Sequence, residues 1–185
     1  MKSTKFDEKL VSSIVSGVLD RREKFDSFFD NFSEISYDQG EQSFKMIYYM
    51  FDRFNNYKMN GGERINIYNT DIRLSKKNYN IDHVNPKKAD LYDYANDEDR
   101  EYINSIGNLL VIPLHSNSKA QNLPISEKVR EIYEKYNTKL PTVSDFIKNF
   151  NKKDWDSKKN IFSSIEERTR KLAEISFRNV WNITK

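Results

Sequence analysis

Hydrophobic residues recur every three to four positions along the first third of the chain, with polar residues between them. The first pattern comprises Phe6, Leu10, Val11, Ile14, Val15, Val18, Leu19, Phe25, Phe28, Phe29 and Phe32. This spacing predicts an amphipathic helix with weak points at Gly17 and Asp20, where it could divide into two pieces. A second stripe, which includes Phe44, Ile47, Tyr48, Phe51 and Phe54, predicts a helix over about residues 41–55.

The middle of the chain contains shorter patterns with a period of two. After the turn predicted by "MNGGER", Ile65 and Ile67 alternate with polar residues and predict a short strand. Tyr79 and Ile81 predict another strand, which would leave His83 at its end or in the following loop. The run "NLLVIP", residues 108–113, is typical of a buried strand.

Helical patterns fill the rest of the chain. An acidic segment predicts a solvated face and a short helix over residues 97–105, ended by Gly107. A helix is predicted from about Ser116, broken by Pro124, and the next one, in "SEKVREIYEKY", has Ser126 as its cap. "TVSDFIKNF" predicts a shorter helix, and "WDSKKNIFSSIEERTRKLAEISFRNVWNI" predicts a long final one.

These elements predict a mostly helical α+β fold. A strand–strand–helix unit over about residues 79–124 would lie between N-terminal and C-terminal helices. Residues 1–60 would form a helical region that packs on a domain over residues 61–185, and the whole would be one compact domain. A chain of 185 residues with 12 Phe and 11 Tyr is large enough to bury such a core.

Composition excludes several classes of protein. The absence of cysteine excludes disulfides and thiolate metal sites such as zinc fingers. No apolar run approaches the ~20 residues that span a bilayer, and "MKSTKFDEKL" lacks the apolar stretch of a secretory signal. We therefore expect a cytoplasmic protein without a membrane partner. Net charge is +6 over residues 115–185 and −3 before them, which suits binding of a polyanion by the C-terminal part.

Candidate chemistry centres on His83, one of two histidines. Asp82 precedes it, Pro86 follows it by three positions, Asn108 opens the buried strand, and Asn117 comes nine residues later. Hydrolysis of a phosphodiester needs a base near neutral pH, which histidine supplies. It also needs a sink for negative charge, and a hard divalent cation with Asp and Asn oxygen ligands can provide one.

The segments "DHVNP", "GNLLVIP" and "HSNSKAQN" together resemble the HNH, or ββα-metal, endonucleases. The wider frame of "IGNLLVIP", "NLPISEK" and "ERTRKLAEISFRNVWNI" is similar to the HNH-like nuclease domain of GmrSD-type, modification-dependent restriction proteins. The resemblance covers roughly residues 79–128, with weaker similarity in the last helix. It implies a ββα-metal core at this position in the fold.

The resemblance also implies roles for individual residues. His83 would be the general base that activates water, and Asn108 would orient His83 and pin the loop. Asp82 and Asn117 would hold one divalent metal ion, with Mg²⁺ preferred to Mn²⁺ or another divalent ion. His115 competes with Asn117 as the ligand, because a small shift in the start of the helix would exchange them.

Three further residues have weaker assignments. Asn122 would support the helix geometry rather than touch substrate, with nucleic-acid contact as its weaker assignment, and Lys119 and Lys128 would contact phosphates. The implied function is metal-dependent DNA cleavage in restriction or phage defence. The implied partners are DNA, as substrate, and other subunits or domains of such a system. The oligomeric state and the form of the nucleic acid stay open.

Two other functions remain compatible with the sequence. The basic C-terminal part carries interleaved aromatic residues such as Tyr133, Phe146 and Trp155, which suits a non-catalytic nucleic-acid-binding module. The phenylalanine-rich N-terminal helices instead suit a helical interaction protein.

Overall fold

The structure, a computed structural model, describes residues 21–57, 64–87, 93–120, 122–136 and 138–181. The helix predicted over residues 6–19 and most of the "MNGGER" turn lie outside the described residues. Within them, no helix is long and apolar enough to cross a membrane.

Two helices open the described part of the chain. Helix α1 spans Arg21–Ser33 and helix α2 spans Glu41–Asn56, close to the predicted bounds. The hydrophobic stripe of α2 is buried, as its spacing predicts. Gly40, with a φ of 87°, stands immediately before α2 in a conformation that other residues rarely adopt.

The strand predicted around Ile65 and Ile67 is not formed, and that prediction is wrong. The carboxylate of Asp52, buried in α2, accepts hydrogen bonds from the backbone N–H groups of Ile67 at 3.0 Å and Tyr68 at 3.2 Å. Arg64 also pairs with Asp52, at 3.0 Å. A side chain of a helix therefore takes the donors that a neighbouring strand would otherwise use.

The other two predicted strands form an antiparallel pair. Helix α3 (Ile72–Asn78) leads directly into β1 (Tyr79–His83), and β2 spans Leu109–Pro113. In their register Tyr79 lies opposite Pro113 and His83 lies opposite Leu109. His83 is thus the last residue of its strand, as predicted, and the described fold is a mostly helical α+β protein with a two-stranded sheet.

Short helices connect and follow the sheet. Between the strands lie α4 (Asp97–Asn104) and a 3₁₀ turn (Ile106–Asn108). After β2 come α5 (Leu114–Ala120), α6 (Ile125–Lys128), a π-helical turn (Val129–Tyr133), α7 (Glu134–Tyr136), α8 (Pro141–Asn149), a 3₁₀ turn (Lys152–Trp155), α9 (Lys158–Ile175) and a second π-helical turn (Ser176–Val180).

The ends of several helices differ from the predictions. Helix α5 begins at Leu114 rather than near Ser116. Ser126 lies inside α6, and the position before that helix belongs to Pro124, so Ser126 is not the cap. The final helix is divided, because α9 gives way to the π-helical turn after Ile175.

Gly107 has a different role from the predicted one. Helix α4 already ends at Asn104, and Gly107 lies in the following 3₁₀ turn. A Cβ atom at position 107 would overlap the carbonyl oxygen of Ile165 and the hydroxyl of Thr169, both on α9. Glycine is therefore required here because two segments of backbone approach closely, rather than to end a helix.

The hydrophobic core joins these elements around the sheet. Leu109, Leu110, Val111 and Ile112 of β2 are all fully buried, as expected for a central apolar strand. Helix α1 packs against the end of the chain, where the ring of Phe28 meets Phe177 with centroids 5.4 Å apart. Because His83 lies opposite the buried Leu109, the end of β1 is next to this core.

Candidate active site around His83

Asp82 and His83 occupy the last two positions of β1 and point to opposite faces of the sheet, because side chains alternate along a strand. Both are buried, with 3% of Asp82 and 8% of His83 exposed. The two residues therefore have separate environments, although they are adjacent in the sequence.

The imidazole of His83 is bonded to an asparagine that the sequence analysis missed. Its Nε2 lies 3.2 Å from Oδ1 of Asn104, the last residue of α4. The Nδ2 of the same amide donates to Oδ2 of Asp38 at 3.2 Å and to the Tyr94 hydroxyl at 2.9 Å. Because the amide NH₂ faces the carboxylate of Asp38, its oxygen faces His83, and the oxygen can only accept. Nε2 then carries the proton, and Nδ1 is left with a free lone pair.

A tyrosine from the loop between α1 and α2 covers the imidazole. The Tyr37 ring lies edge-to-face with the His83 ring, with centroids 4.6 Å apart. Its backbone N–H donates to the carbonyl of Asn104 at 2.9 Å, and Ile106 donates to Ile35 at 3.2 Å. These backbone hydrogen bonds place the loop against the end of α4, and so place Tyr37 over His83.

Burial controls the protonation of His83. The pKa of His83 is lowered to about 3, mainly by desolvation and next by the nearby Lys87 ammonium, whereas the Asn104 hydrogen bond and the Asp38 carboxylate act in the opposite direction. The imidazole is accordingly neutral at neutral pH. That is the protonation state in which histidine can accept a proton.

Asn108, predicted to orient His83 and pin the loop, makes its side-chain contacts with backbone. Its Oδ1 accepts from the Asn85 N–H at 2.8 Å, and its Nδ2 donates to the carbonyls of Asn85 at 3.0 Å and Ile103 at 2.8 Å. Its own carbonyl accepts from the Val84 N–H at 2.7 Å. Asn108 thus holds the segment that follows His83, whereas the partner of the imidazole is Asn104.

Asp82 is held on the opposite face by two residues of one helical segment. Its Oδ1 accepts from the Lys128 ammonium at 2.7 Å, and its Oδ2 accepts from the Tyr133 hydroxyl at 2.5 Å. Lys128 also donates to the backbone carbonyl of His83 at 2.6 Å. Burial raises the pKa of Asp82, and Lys128 and Tyr133 oppose that rise. Burial and the Asp82 carboxylate together raise the pKa of Tyr133, so its hydroxyl remains protonated.

These contacts bear on the predicted metal site. Both carboxylate oxygens of Asp82 already accept hydrogen bonds, one of them from an ammonium group. A carboxylate has about four acceptor positions, so these two hydrogen bonds leave others on the same oxygens. A divalent ion at Asp82 would lie close to the Lys128 ammonium, which disfavours it by charge repulsion. Binding of a metal by Asp82 and Asn117 stays a prediction.

The other predicted metal ligands lie on α5. Asn117 is half-buried, and His115 is exposed with its Nε2 3.3 Å from the Ser116 hydroxyl. In the part of the chain that the structure describes, no group of three or more His, Asp or Glu side chains could hold a metal ion. The structure therefore does not choose between Asn117 and His115.

The residues predicted to contact nucleic acid have different exposures. Lys119 is exposed on α5, with its ammonium 4.5 Å above the Tyr136 ring, and Asn122 is exposed in the loop after α5. Lys128 is fully buried in its ion pair with Asp82. In this structure Lys128 is therefore not a surface contact for phosphate, because its ammonium is paired with the buried Asp82 carboxylate.

The protein also contains a cavity of about 390 Å³ between α8 and α9, lined in part by Phe54, Phe146, Trp155 and Arg168. None of the predicted site residues lines this cavity. We therefore place the candidate active site at His83, where a proton-accepting group lies in a polar network, and not in this cavity.

The fold and this network describe a mostly helical α+β protein with a buried, neutral histidine at the end of a strand. The family model for the C-terminal domain of GmrSD restriction endonucleases matches residues 22–175. The chain belongs to this family, which confirms the predicted relationship to GmrSD-type restriction proteins and indicates a nuclease of the restriction-endonuclease type. No curated protein and no solved structure gives a significant match.

The matched region is wider than the resemblance noted in the sequence. It includes α1, α2 and the loop between them, which supplies Tyr37 and Asp38 to the His83 network. The motifs around His83 contain no signal for these residues or for Asn104. The one hint is that Asn104 lies near the end of a predicted helix, four positions before Asn108.

Proposed function

We propose that this protein is a DNA endonuclease that hydrolyses phosphodiester bonds with His83 as general base, in restriction or phage defence. The observation that supports this most strongly is the neutral imidazole, held through Nε2 by Asn104, in a chain that belongs to a restriction-endonuclease family. The order β1, β2, α5 follows the strand–strand–helix arrangement of the HNH unit, and α5 packs on both strands.

In the proposed reaction, Nδ1 of His83 removes a proton from a water molecule as the water oxygen attacks phosphorus. The bond from phosphorus to the 3′ oxygen breaks and that oxygen takes a proton from solvent water, which leaves a 5′ phosphate and a 3′ hydroxyl. The imidazolium then returns its proton to solvent. A base with a pKa of about 3 is weak in the free protein. A phosphodiester anion beside the ring would stabilise the imidazolium and raise that pKa, so the base would strengthen when substrate binds.

Asn104 is proposed as a positioning residue for His83. Since the amide oxygen accepts a hydrogen bond from the Nε2–H group, it keeps Nδ1 in the form that can accept a proton and fixes the plane of the ring. The resemblance also implies a divalent ion at Asp82 and Asn117. That ion would supply a sink for the negative charge of the leaving oxygen, and it would compete with the Lys128 ammonium for the Asp82 carboxylate.

The direct test is plasmid cleavage by purified wild-type and His83→Ala proteins with Mg²⁺, with Mn²⁺ and with chelator. Loss of a general base typically lowers the rate by ~10²–10⁴-fold, so we expect His83→Ala to lose nearly all cleavage and to keep its fold and DNA binding. Asn104→Leu should lower kcat with little change in KM. Tyr94→Phe is the matched control, because it removes a hydroxyl that Asn104 contacts but leaves the hydrogen bond between Asn104 and His83. It should keep a kcat close to that of wild type. Equal cleavage by wild type and His83→Ala would contradict the proposal.

A non-catalytic nucleic-acid-binding protein is the second candidate. It is favoured by the small exposure of His83, 8%, and by the positive charge of residues 115–185. Such a protein would bind DNA with an affinity that falls steeply with salt and would give no product in any divalent ion.

A further inference from the structure

Lys87 and the imidazole of His83 contact the same aromatic ring, that of Tyr37. The Lys87 ammonium lies 4.3 Å above the centroid of the Tyr37 ring and 5.2 Å from that of Tyr94. The same Tyr37 ring contacts the imidazole edge-to-face. Among the cations near His83, Lys87 has the largest electrostatic effect on its pKa, greater than that of Lys128.

The charge of Lys87 has no carboxylate partner among the residues that the structure describes, where its contacts are with the faces of two tyrosines. The nearest carboxylate of the network, Asp38, is engaged elsewhere. It accepts from Ser36 at 2.6 Å and from Asn104 at 3.2 Å, and Arg100 lies 3.9 Å away. A cation–π contact is weaker than the attraction between an ammonium and an anion, so it can be exchanged for a contact with a phosphate.

The backbone that carries Lys87 is fixed. Pro86, immediately before it, is buried, and Asn85 is held by two hydrogen bonds to the Asn108 side chain. The half-buried Lys87 therefore projects from an anchored segment. Less conformational freedom is lost when such a side chain binds a ligand.

We propose that the Lys87 ammonium binds a non-bridging oxygen of the scissile phosphodiester, beside the His83 imidazole and against the Tyr37 ring. This rests on the proposed function and identifies the phosphate-binding residue of the same site. Negative charge on the phosphate oxygens is greatest in the transition state, so a fixed ammonium stabilises that state more than the bound substrate.

The test compares Lys87→Ala and Lys87→Arg with Lys76→Ala. Lys76 is a matched control, because its ammonium also lies over an aromatic ring, at 4.4 Å from the centroid of Phe44, one ring beyond Tyr37. For cleavage of a short DNA duplex, we expect Lys87→Ala to lower kcat/KM by ~10²–10³-fold, as for loss of one donor to a transition-state oxyanion. Lys87→Arg should restore a large part of the rate, and Lys76→Ala should stay close to wild type.

A second measurement does not depend on cleavage. In a His83→Ala background, the slope of log binding constant against log salt concentration should become shallower by about 1 when Lys87 is changed to Ala, as for loss of one phosphate contact. Lys76→Ala in the same background should leave the slope unchanged. Circular dichroism and thermal unfolding confirm that each variant is folded.

The outcomes separate this proposal from the proposed function. If wild type cleaves DNA and Lys87→Ala cleaves as well as Lys76→Ala, the Lys87 proposal is overturned and the nuclease assignment stands. If wild type cleaves nothing, the nuclease assignment fails. In that case a shallower slope supports Lys87 as a phosphate contact of a binding protein, and an unchanged slope overturns that as well.

Discussion

Burial keeps His83 uncharged even though two neighbouring groups favour its protonated form. The Asn104 hydrogen bond and the Asp38 carboxylate favour the imidazolium, yet desolvation is stronger and lowers the pKa to about 3. The same burial that fixes the ring therefore keeps it neutral. In the folded protein, His83 resists protonation at pH values where an exposed histidine would be charged.

This difference makes stability depend on pH. The pKa of His83 is about 3 in the folded state and about 6.5 in the unfolded state, so between these values the unfolded chain binds a proton that the folded protein does not. The stabilisation is present above pH 6.5 and is lost as pH falls towards 3. On lowering the pH from 7 to 4, wild type should lose about 3 kcal/mol more unfolding free energy than His83→Gln, which cannot titrate.

Denaturant unfolding of both proteins at the two pH values measures this difference, provided that the denaturant slope is unchanged. The comparison cancels the carboxylates that titrate in both proteins. Equal losses in wild type and His83→Gln would show that His83 titrates alike in the folded and unfolded states, and would remove the basis for a neutral buried base.

The asparagines near the site show which assignments sequence motifs can support. Asn108 stands immediately before β2, so its place beside the end of β1 follows from pairing of the two predicted strands. Asn104 lies on a different element, and its contact with His83 depends on how α4 packs against the sheet. A short motif can therefore predict the position of Asn108, which depends on strand pairing, but not that of Asn104, which depends on helix packing.

Among the secondary-structure elements, the π-helical turn after α6 brings two residues to one carboxylate. Lys128 and Tyr133 are five positions apart, and both bond to Asp82. In a regular α-helix, residues three or four apart share a face, whereas a π-helical turn with i→i+5 hydrogen bonds also aligns residues five apart. The irregular turn therefore matches the geometry that the Asp82 network requires.

Removal of Lys128 should expose the cost of a buried charge. Lys128→Met leaves the Asp82 carboxylate without its cation, and loss of one partner of a buried ion pair typically destabilises by ~3–5 kcal/mol. The double variant Asp82→Asn/Lys128→Met should recover much of that loss, because no buried charge remains. Denaturant unfolding of the four proteins forms the double-mutant cycle, and additive effects would contradict a coupled pair.

The same variants test the predicted metal ion. If Mn²⁺ stabilises wild type but not Asp82→Asn, an ion competes successfully with Lys128, and Asp82 is a metal ligand after all. If Mn²⁺ stabilises neither protein, Asp82 is not a metal ligand and only bonds to Lys128 and Tyr133. In Lys128→Met the competing ammonium is gone, so any affinity of Asp82 for the ion should increase.

At the scale of the whole molecule, helix α1 and the π-helical turn after α9 are joined by aromatic contacts. Phe177 lies edge-to-face with Phe25 at 5.6 Å and with Phe28 at 5.4 Å between centroids. The loop after α1 also supplies Tyr37 to the His83 site. Helix α1 therefore contributes to the core and the loop after it to the site, although the sequence pattern predicts no chemistry for this region.

We accordingly expect one cooperative unfolding transition. Phe177→Ala should destabilise the protein by ~3–5 kcal/mol, the usual cost of truncating a buried phenylalanine, and should shift the whole transition. Aromatic fluorescence and far-ultraviolet circular dichroism monitor it in parallel. Separate transitions by the two methods would show that α1 and the rest of the chain unfold independently.

The sequence alone was sufficient to predict the mostly helical α+β class, both strands of the sheet, the end position of His83 and the family relationship. These features depend on local periodicity and on short motifs, which the order of residues records directly. Tertiary structure alone decided that Ile65 and Ile67 form no strand, and that Asp82 pairs with Lys128. It also decided that Asn104, Tyr37 and Lys87 surround the imidazole. The physical reason is that burial, and with it pKa and hydrogen-bond choice, is set by side chains that arrive from distant segments of the chain.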